Sequence, residues 1–374
     1  MFTCFAVAAP GTELWVADEI RDLGFQDIVE IEGGVEFEAS LKDVMRANLW
    51  SRTVSRFLVR LATFPARELS LLQRRITKLE LTSFVPKGAS LRLKVTCKKS
   101  KIYHSGAAAE RIAESLASTH GVEVVKGEVD APELIVRIHR DVVTVSLDSS
   151  GGHLHQRGQK VVLGKAPIRE TLAAVALRAV GFDGAQPFID PCAGSGTIVI
   201  EAAELAANRA PGLYRKFAFQ DWPCFREKQW GNLLEHAKTS IKRPDCGLFA
   251  FDQSAPAMKS CRANLESKGL AEFVETKCRP LRAGAESVAS HYGVLVANPP
   301  YGQRLGRERD VRRAHKELGG WLSRSLEGWG AMITTPRLDL IEMMKCQLEP
   351  MSGPIYHGGT RIYLVGRTLK APIS

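Results

Sequence analysis

The sequence predicts an α/β protein in two parts: a small α+β region to about residue 150, then a doubly wound, mainly parallel sheet wrapped by helices. Three observations carry this. Beyond residue 165, short apolar strands alternate with helical patterns, as crossover connections require. Before residue 150, β-branched segments are bounded by turn residues, with helices falling between them. The length of 374 residues, with 45% hydrophobic and 25% charged residues, is enough for two cored domains but hardly three. The expected boundaries are 1–150, a connecting segment 151–165, and 166–374.

Taken in order, TELWVADEIRDLGF spaces Leu14, Val16, Ile20 and Leu23 on one side of a helix and ends at Gly24, a natural stop. VEIEGGVEFEA, LRLKVTC, VEVVKG and ELIVRIHRDVVTVSLD read as strands, with LKDVMRANLWSRT and GAAAERIAESLAST as helices between them. SSGGHLHQRGQK has no periodicity and reads as a linker or ordered crossing. The helix RETLAAVALRAVG then leads to strand PFID, helix TIVIEAAELAAN, strand LFAFD, helix APAMKSCRANLESKG, strands FVETK and YGVLVANPP, helix HKELGGWLSRSLEGW and strand GAMITTP. The end, GPIYHGGTRIYLVGRTL, reads as an antiparallel hairpin around a His-Gly-Gly turn.

Charge is unevenly placed. Residues 1–50 hold 3 Lys/Arg against 10 Asp/Glu, whereas residues 51–100 hold 12 against 2, an excess equal to the net charge of +10. Such a segment suits either a surface that neutralises phosphates or a solvated helix face. The eight cysteines form no C-x-x-C pair, so neither a zinc site nor a disulfide framework is expected. No run approaches the ~20 apolar residues of a membrane span. The start also lacks a basic leader, and the expected location is the cytoplasm.

Three constellations carry chemistry. The first is Asp190-Pro191-Cys192-Ala193-Gly194-Ser195-Gly196-Thr197, after an apolar strand and before a helix. Its glycines allow a tight turn and close ligand approach at the helix start. Val199 replaces the third glycine of a dinucleotide fingerprint, and the Asp190 carboxylate would repel a pyrophosphate. It suits a ligand that is cationic there, such as S-adenosylmethionine. The second is Asp252, at the tip of LFAFD, placed to take ribose hydroxyls or to cap the helix before Ala255. Its distance from the glycine loop makes residues 205–245 an insertion.

The third is Asn298-Pro299-Pro300-Tyr301. Methylating an exocyclic amine on a ring requires drawing its lone pair out of the π-system. The Asn298 side-chain oxygen and the Pro299 carbonyl are two acceptors that the prolines hold rigidly, and Tyr301 offers a stacking face. No metal and no covalent nucleophile are then required. Cys192 and Cys224, each after a proline, are the alternative nucleophiles; Cys192 would face the cofactor, and Cys224 lies in the insertion. Arg304, Arg307, Arg309, Arg312 and Arg313 fit a phosphate-binding rim or a plain solvated loop.

These residues resemble the THUMP-domain class I RNA methyltransferases, most closely the bacterial large-subunit ribosomal RNA guanine-N2 enzymes. APGTELWVADEIRDLGF and GGVEFEASLKDVMRANLWSRTVSRFLVRLATF resemble the family's ferredoxin-like and THUMP region. VSLDSSGGHLHQRGQK and APIRETLAAVAL resemble its connecting segment, and DPCAGSGTIVIEAA and NPPYGQRLG its two catalytic motifs. The resemblance implies an S-adenosylmethionine loop at Asp190, Cys192, Gly194, Ser195, Gly196 and Thr197, a ribose contact at Asp252, further cofactor contacts at Cys278 and Asn298, and base handling by Asn298, Pro299, Pro300 and Tyr301. Where relatives carry an aspartate against the adenine amine, this chain has Cys278, a poor acceptor. The partner implied is RNA, ribosomal before transfer RNA. Adenine-N6 methylation of DNA, glutamine-N5 methylation of protein, and a non-catalytic assembly factor are the rival readings. No motif specifies an oligomeric state.

Overall fold

The computed structural model describes residues 1–127, 130–158, 168–283, 292–300, 308–357 and 359–369. The first part runs β1 (Phe2–Val7), α1 (Glu13–Asp22), β2 (Val29–Ile31), β3 (Gly34–Ala39), α2 (Leu41–Trp50), β4 (Arg56–Pro65), α3 (Leu69–Ile76), β5 (Ser90–Lys98), α4 (Ser105–His120), β6 (Glu123–Val125), β7 (Glu133–His139) and β8 (Val142–Asp148). These strands form one sheet in the order β2-β3-β1-β4-β8-β7-β5-β6. Every second residue, among them Cys4, Val35, Phe57, Val59, Val136 and Val145, enters a single core. The opposite face carries Thr3, Glu36, Arg60, Arg137 and Lys94, so the period-2 alternation records a sheet with one apolar side.

The second part runs α5 (Glu170–Val180), β9 (Phe188–Asp190), α6 (Thr197–Ala206), α7 (Glu227–Thr239), β10 (Leu248–Asp252), α8 (Ala255–Ser267), β11 (Val274–Cys278), β12 (Val294–Ala297), α9 (Glu308–Arg324), β13 (Gly330–Thr335), α10 (Asp339–Glu342), β14 (Glu349–Pro350), β15 (Ile355–His357) and β16 (Thr360–Arg367). The strand order is β11-β10-β9-β12-β13-β16-β14, parallel from β11 to β13 and antiparallel at β16. The terminal hairpin forms from β15 and β16. Successive residues of the central parallel strands β9, β10, β12 and β13 enter two different cores: Phe188, Ala250, Val296 and Met332 one, Ile189, Phe251, Leu295 and Ile333 the other. Burial on both faces explains why these strands read as unbroken apolar runs. No helix among the described residues is long and apolar enough to cross a membrane.

The parts exchange side chains. Trp15 of α1 packs into the core beneath β9. In return Phe217, Phe219, Trp222 and Trp230, from the insertion after α6, join the core of the first sheet. A buried ionic network also crosses the boundary. Arg157 clamps Glu201 of α6 at 3.0 and 3.1 Å and donates to the Arg52 carbonyl, while Lys268 reaches Glu204 at 2.9 Å. Both glutamates are almost fully buried, and the paired cations are what make that burial tolerable. The described part of the 151–165 segment is an ordered crossing, stitched by Arg215 to the carbonyls of Ser150, His153 and Gln156.

Candidate active site

The order of the parallel strands reverses between β9 and β12, and a ligand crevice opens where such a reversal occurs, at the carboxyl ends of the strands. There the structure has a cavity of about 630 Å³, within the ordinary range for small-molecule sites. Its wall is built from three loops. The first follows β9 and contributes Cys192, Gly194, Ser195 and Thr197; the second follows β10 and contributes Asp252; the third follows β12 and contributes Asn298 and Pro300.

The glycine loop is shaped by its backbone. Gly194 and Gly196 both have positive φ, +56° and +93°. A Cβ on Gly196 would lie 2.8 Å from the Cys261 sulfur, whereas one on Gly194 would meet nothing within 4 Å. One glycine thus packs against α8 and the other leaves space open to a ligand. Asp252 holds this loop in place: its Oδ2 accepts from the Gly194 N–H at 2.9 Å and its Oδ1 from the Ser254 N–H at 2.8 Å. The helix cap weighed for Asp252 belongs instead to Ser254, whose hydroxyl accepts from the Ala257 N–H.

Asp190 lies deeper than its place in the motif suggests. It is fully buried beneath the loop, absent from the cavity wall, with Oδ1 accepting from the Cys192 N–H at 3.2 Å and Oδ2 lacking any partner. Burial first, then the neighbouring Asp252 charge, pushes its carboxyl up to about 8. An orphaned acid under a ligand loop fits a cavity that receives positive charge, because a nearby cation would stabilise the ionised form. Burial, with Asp190 and Asp252 adding to it, also drives the Cys192 thiol well above its ordinary value, so it is held protonated and poorly nucleophilic. Cys224 stands against the core of the first sheet, away from the cavity.

Asn298 extends the row that pairs Ala297 with Ile333, which sets it beside Thr334 of β13. The buried Thr334 hydroxyl donates to the Asn298 Oδ1 at 2.5 Å. This fixes the amide with its oxygen as the acceptor, and a carbonyl oxygen has a second lone pair left for a substrate N–H. Pro299, Gly196 and Cys278 are not on the cavity wall. Cys278 is exposed at the tip of β11, in register with Asp252, and its thiol lies 3.7 Å from the Gln253 carbonyl. Tyr301, Arg304 and Arg307 lie outside the described residues.

The sequence motifs leave out the fourth wall. Asp310, Arg313, Ala314 and Glu317 of α9 line the cavity, at the three- and four-residue steps of one helix face. Arg313 stands in the sequence as one member of a basic run, and it pairs with Asp310 at 3.2 Å. The helical periodicity is the signal that could have found this face.

A doubly wound sheet with a glycine loop after its first strand, an acid after its second and Asn-Pro-Pro after its fourth defines a methyltransferase of the Rossmann-like class. Comparison with known proteins agrees. Residues 157–352 match the RMKL-like methyltransferase domain, and residues 3–58 match the RlmL ferredoxin-like domain, so the chain belongs to the RMKL-like methyltransferase family. It is 33% identical to the candidate RNA methyltransferase YpsC of Bacillus subtilis, over 89% of this chain and 88% of that one. It is 34% identical to the ribosomal RNA large subunit methyltransferase K/L of Syntrophotalea carbinolica, over 90% of this chain but 49% of that protein. The chain thus spans about half the length of the K/L relatives. Among solved structures, SMU.472, a methyltransferase candidate complexed with SAH, superposes with a TM-score of 0.85 at 28% identity, over 99% of this chain and 98% of that one. A predicted N6-adenine-specific DNA methylase from Listeria monocytogenes gives 0.86 at 28% identity, over 97% and 95%.

Proposed function

We propose that the chain transfers a methyl group from S-adenosylmethionine to the exocyclic N2 of guanine in RNA, with 23S ribosomal RNA the favoured substrate and the cytoplasm the place of action. The observation that carries this reading is convergence: the glycine loop, Asp252, Asn298 and Pro300 line one cavity. When bound, S-adenosylmethionine supplies a methyl carbon on a positively charged sulfur that leaves with the bonding electrons. Open space at Gly194 and the orphaned Asp190 carboxylate below it fit that cation, and Asp252 retains lone pairs for the ribose. Asn298 Oδ1, oriented by Thr334, and the Pro299 carbonyl accept the amine N–H groups, turning the nitrogen lone pair toward the methyl group. Tyr301 is the stacking face for the base, and a guanine paired in a duplex would have to be extruded to reach it. Residues 1–150 form the RNA-presenting ferredoxin-like and THUMP region, 151–165 the connection and 166–374 the catalytic unit. The division is supported by one sheet ending at Asp148 and the other starting at Phe188.

The Listeria structure, described as a predicted DNA adenine methylase, favours a second reading because Asn-Pro-Pro-Tyr serves any conjugated amine. One experiment separates them: labelled S-adenosylmethionine is incubated with RNA from a strain lacking the gene, or with DNA, and the products are digested to nucleosides and identified by mass. N2-methylguanosine in the ribosomal RNA fraction is the expected label. Label in N6-methyladenine of DNA alone would replace the proposal with its rival.

A further inference from the structure

Guanine presents three groups along one edge: the N2 amine, the N1–H donor beside it and the O6 acceptor beyond. Asn298 and the Pro299 carbonyl answer only the first of these. A base drawn into a cavity with N1–H and O6 unpaired forfeits the bonds both groups make in water, so the wall facing this edge has two partners to supply. Helix α9 is that wall, and it is held at both ends. Glu308, in its first turn, pairs with Arg337, just after β13, at 3.0 Å. Further along, the Trp321 indole N–H donates to the Leu281 carbonyl, in the loop after β11. The helix therefore crosses the carboxyl ends of the strands, from the side where Asn298 lies beside β13 to the side of β11.

The cavity face of α9 follows that direction. Asp310 and Arg313 come first, toward the end anchored beside β13, and Glu317 comes a turn later, where its charge acts on the Cys192 thiol of the cofactor loop. Asp310 and Arg313 hold each other at 3.2 Å, as neighbours one helical turn apart. Asp18 with Arg21, Asp43 with Arg46, and Arg111 with Glu114 make the same kind of pair away from the cavity, whereas this pair lines it. Arg312, next in the basic run, turns elsewhere, to Glu308 and the Met343 sulfur. Arg313 is the one cation among the described wall residues, and it stands beside a carboxylate. A phosphate rim would not put Asp310 there, because its charge repels the oxygens that Arg313 attracts. An acceptor and a donor side by side suit a neutral edge that carries one of each.

We infer that Asp310 and Arg313 read the guanine edge next to the reacting amine: the Asp310 carboxylate accepts from N1–H, and the Arg313 guanidinium donates to O6. Each side chain already holds the other in place, so little ordering remains when the base arrives. Adenine inverts the pattern, since the ring nitrogen beside its amine carries a bare lone pair that a carboxylate repels. The inference rests on the guanine-N2 reading above. It places the choice of base in α9 and leaves Asn-Pro-Pro-Tyr, which serves any conjugated amine, to the chemistry.

The test uses the full chain, S-adenosylmethionine and a 23S ribosomal RNA transcript in which a minority of the guanosines carry sulfur in place of O6. Sulfur is a poor acceptor, while N1–H and the amine are kept. After digestion, N2-methylguanosine and its thio counterpart are counted by mass. Their ratio, relative to incorporation, does not depend on how much of the protein is folded. The parent should favour the oxygen base by at least about tenfold, and Arg313→Met should lose most of that preference. Asp310→Asn should lower kcat/KM for the unmodified RNA by at least about tenfold, with the S-adenosylmethionine dissociation constant within about threefold of the parent's in both variants. N2-methylguanosine from the parent, with ratio and kcat/KM unchanged in both variants, would overturn the reading pair alone. A collapse of cofactor affinity in the variants would overturn it too, by assigning the pair to the cofactor's amino-acid end. N6-methyladenosine as the parent's product would overturn the guanine reading and the pair together.

Discussion

The two sheets differ in how many faces they bury, and that difference divides the work. The second sheet feeds alternate residues of its central parallel strands, β9, β10, β12 and β13, into two cores, and the cavity lies at the ends of these strands. The first sheet has one core and one polar face, with its strand ends crowded by cations. A sheet covered on both sides holds reacting groups still at one edge; a sheet covered on one side leaves area for a large partner. The buried charges around α6 join them, immediately behind the glycine loop.

That joint is where the comparison breaks most easily. Glu201→Ala leaves the Arg157 guanidinium buried without its clamp, and the expected loss is about 3–5 kcal/mol, read from the denaturant midpoint. Because α6 begins at the glycine loop, cofactor affinity should fall with it. A change under about 1 kcal/mol would show that the two halves stand independently. Within the second sheet, Gly196→Ala forces a side chain into φ +93° against Cys261, and about 2 kcal/mol of stability and most cofactor affinity should go. Gly194→Ala, facing open space, should cost less stability.

Thr334→Val removes the hydroxyl that orients Asn298 while keeping its shape. The expectation is roughly a tenfold fall in kcat with the cofactor KM unchanged, and recovery in Thr334→Ser. A rise in KM or a fall in thermal stability, with kcat unchanged, would make Thr334 a packing residue. A further effect is one of pH. Asp190 titrates from 3.8 in the unfolded chain to about 8 when folded, so the folded state holds the proton more tightly. Stability from this group is therefore lost as pH rises between those values, and fully lost above about 8. Asp190→Asn should flatten that part of a pH series of urea midpoints. Binding of a cationic cofactor should release a proton near neutral pH, visible as a buffer-dependent heat, and the asparagine variant should release none.

Legibility in the sequence follows the same division. Val294–Ala297 and Leu248–Asp252 can be read because burial on both sides leaves no polar interruption. In the first part β1 and β4 escape the sequence pattern. β4 sets three buried residues in a row, Phe57, Leu58 and Val59, between Arg56 and Arg60, and a bulge between Arg60 and Ala62 shifts the register, so no period of two is visible. Helix α7 is hidden because its apolar residues, Trp230 above all, pack on the other part of the molecule and not on their own sheet. At the site, the motifs identify the loops and their order. They do not reveal depth: Asp190 stands first in the motif yet lies under the loop, and Thr334 carries no motif because its role comes from the register of β12 against β13.

The central claim, that the cofactor loop and the amine acceptors serve one reaction from separate walls of one cavity, is tested most directly in Asn298→Ala. Cofactor affinity by calorimetry and methyl transfer to RNA are measured on the same preparation. The account predicts an unchanged dissociation constant for S-adenosylmethionine, within about threefold, and a fall in turnover of at least about a hundredfold. Full turnover in that variant would contradict it.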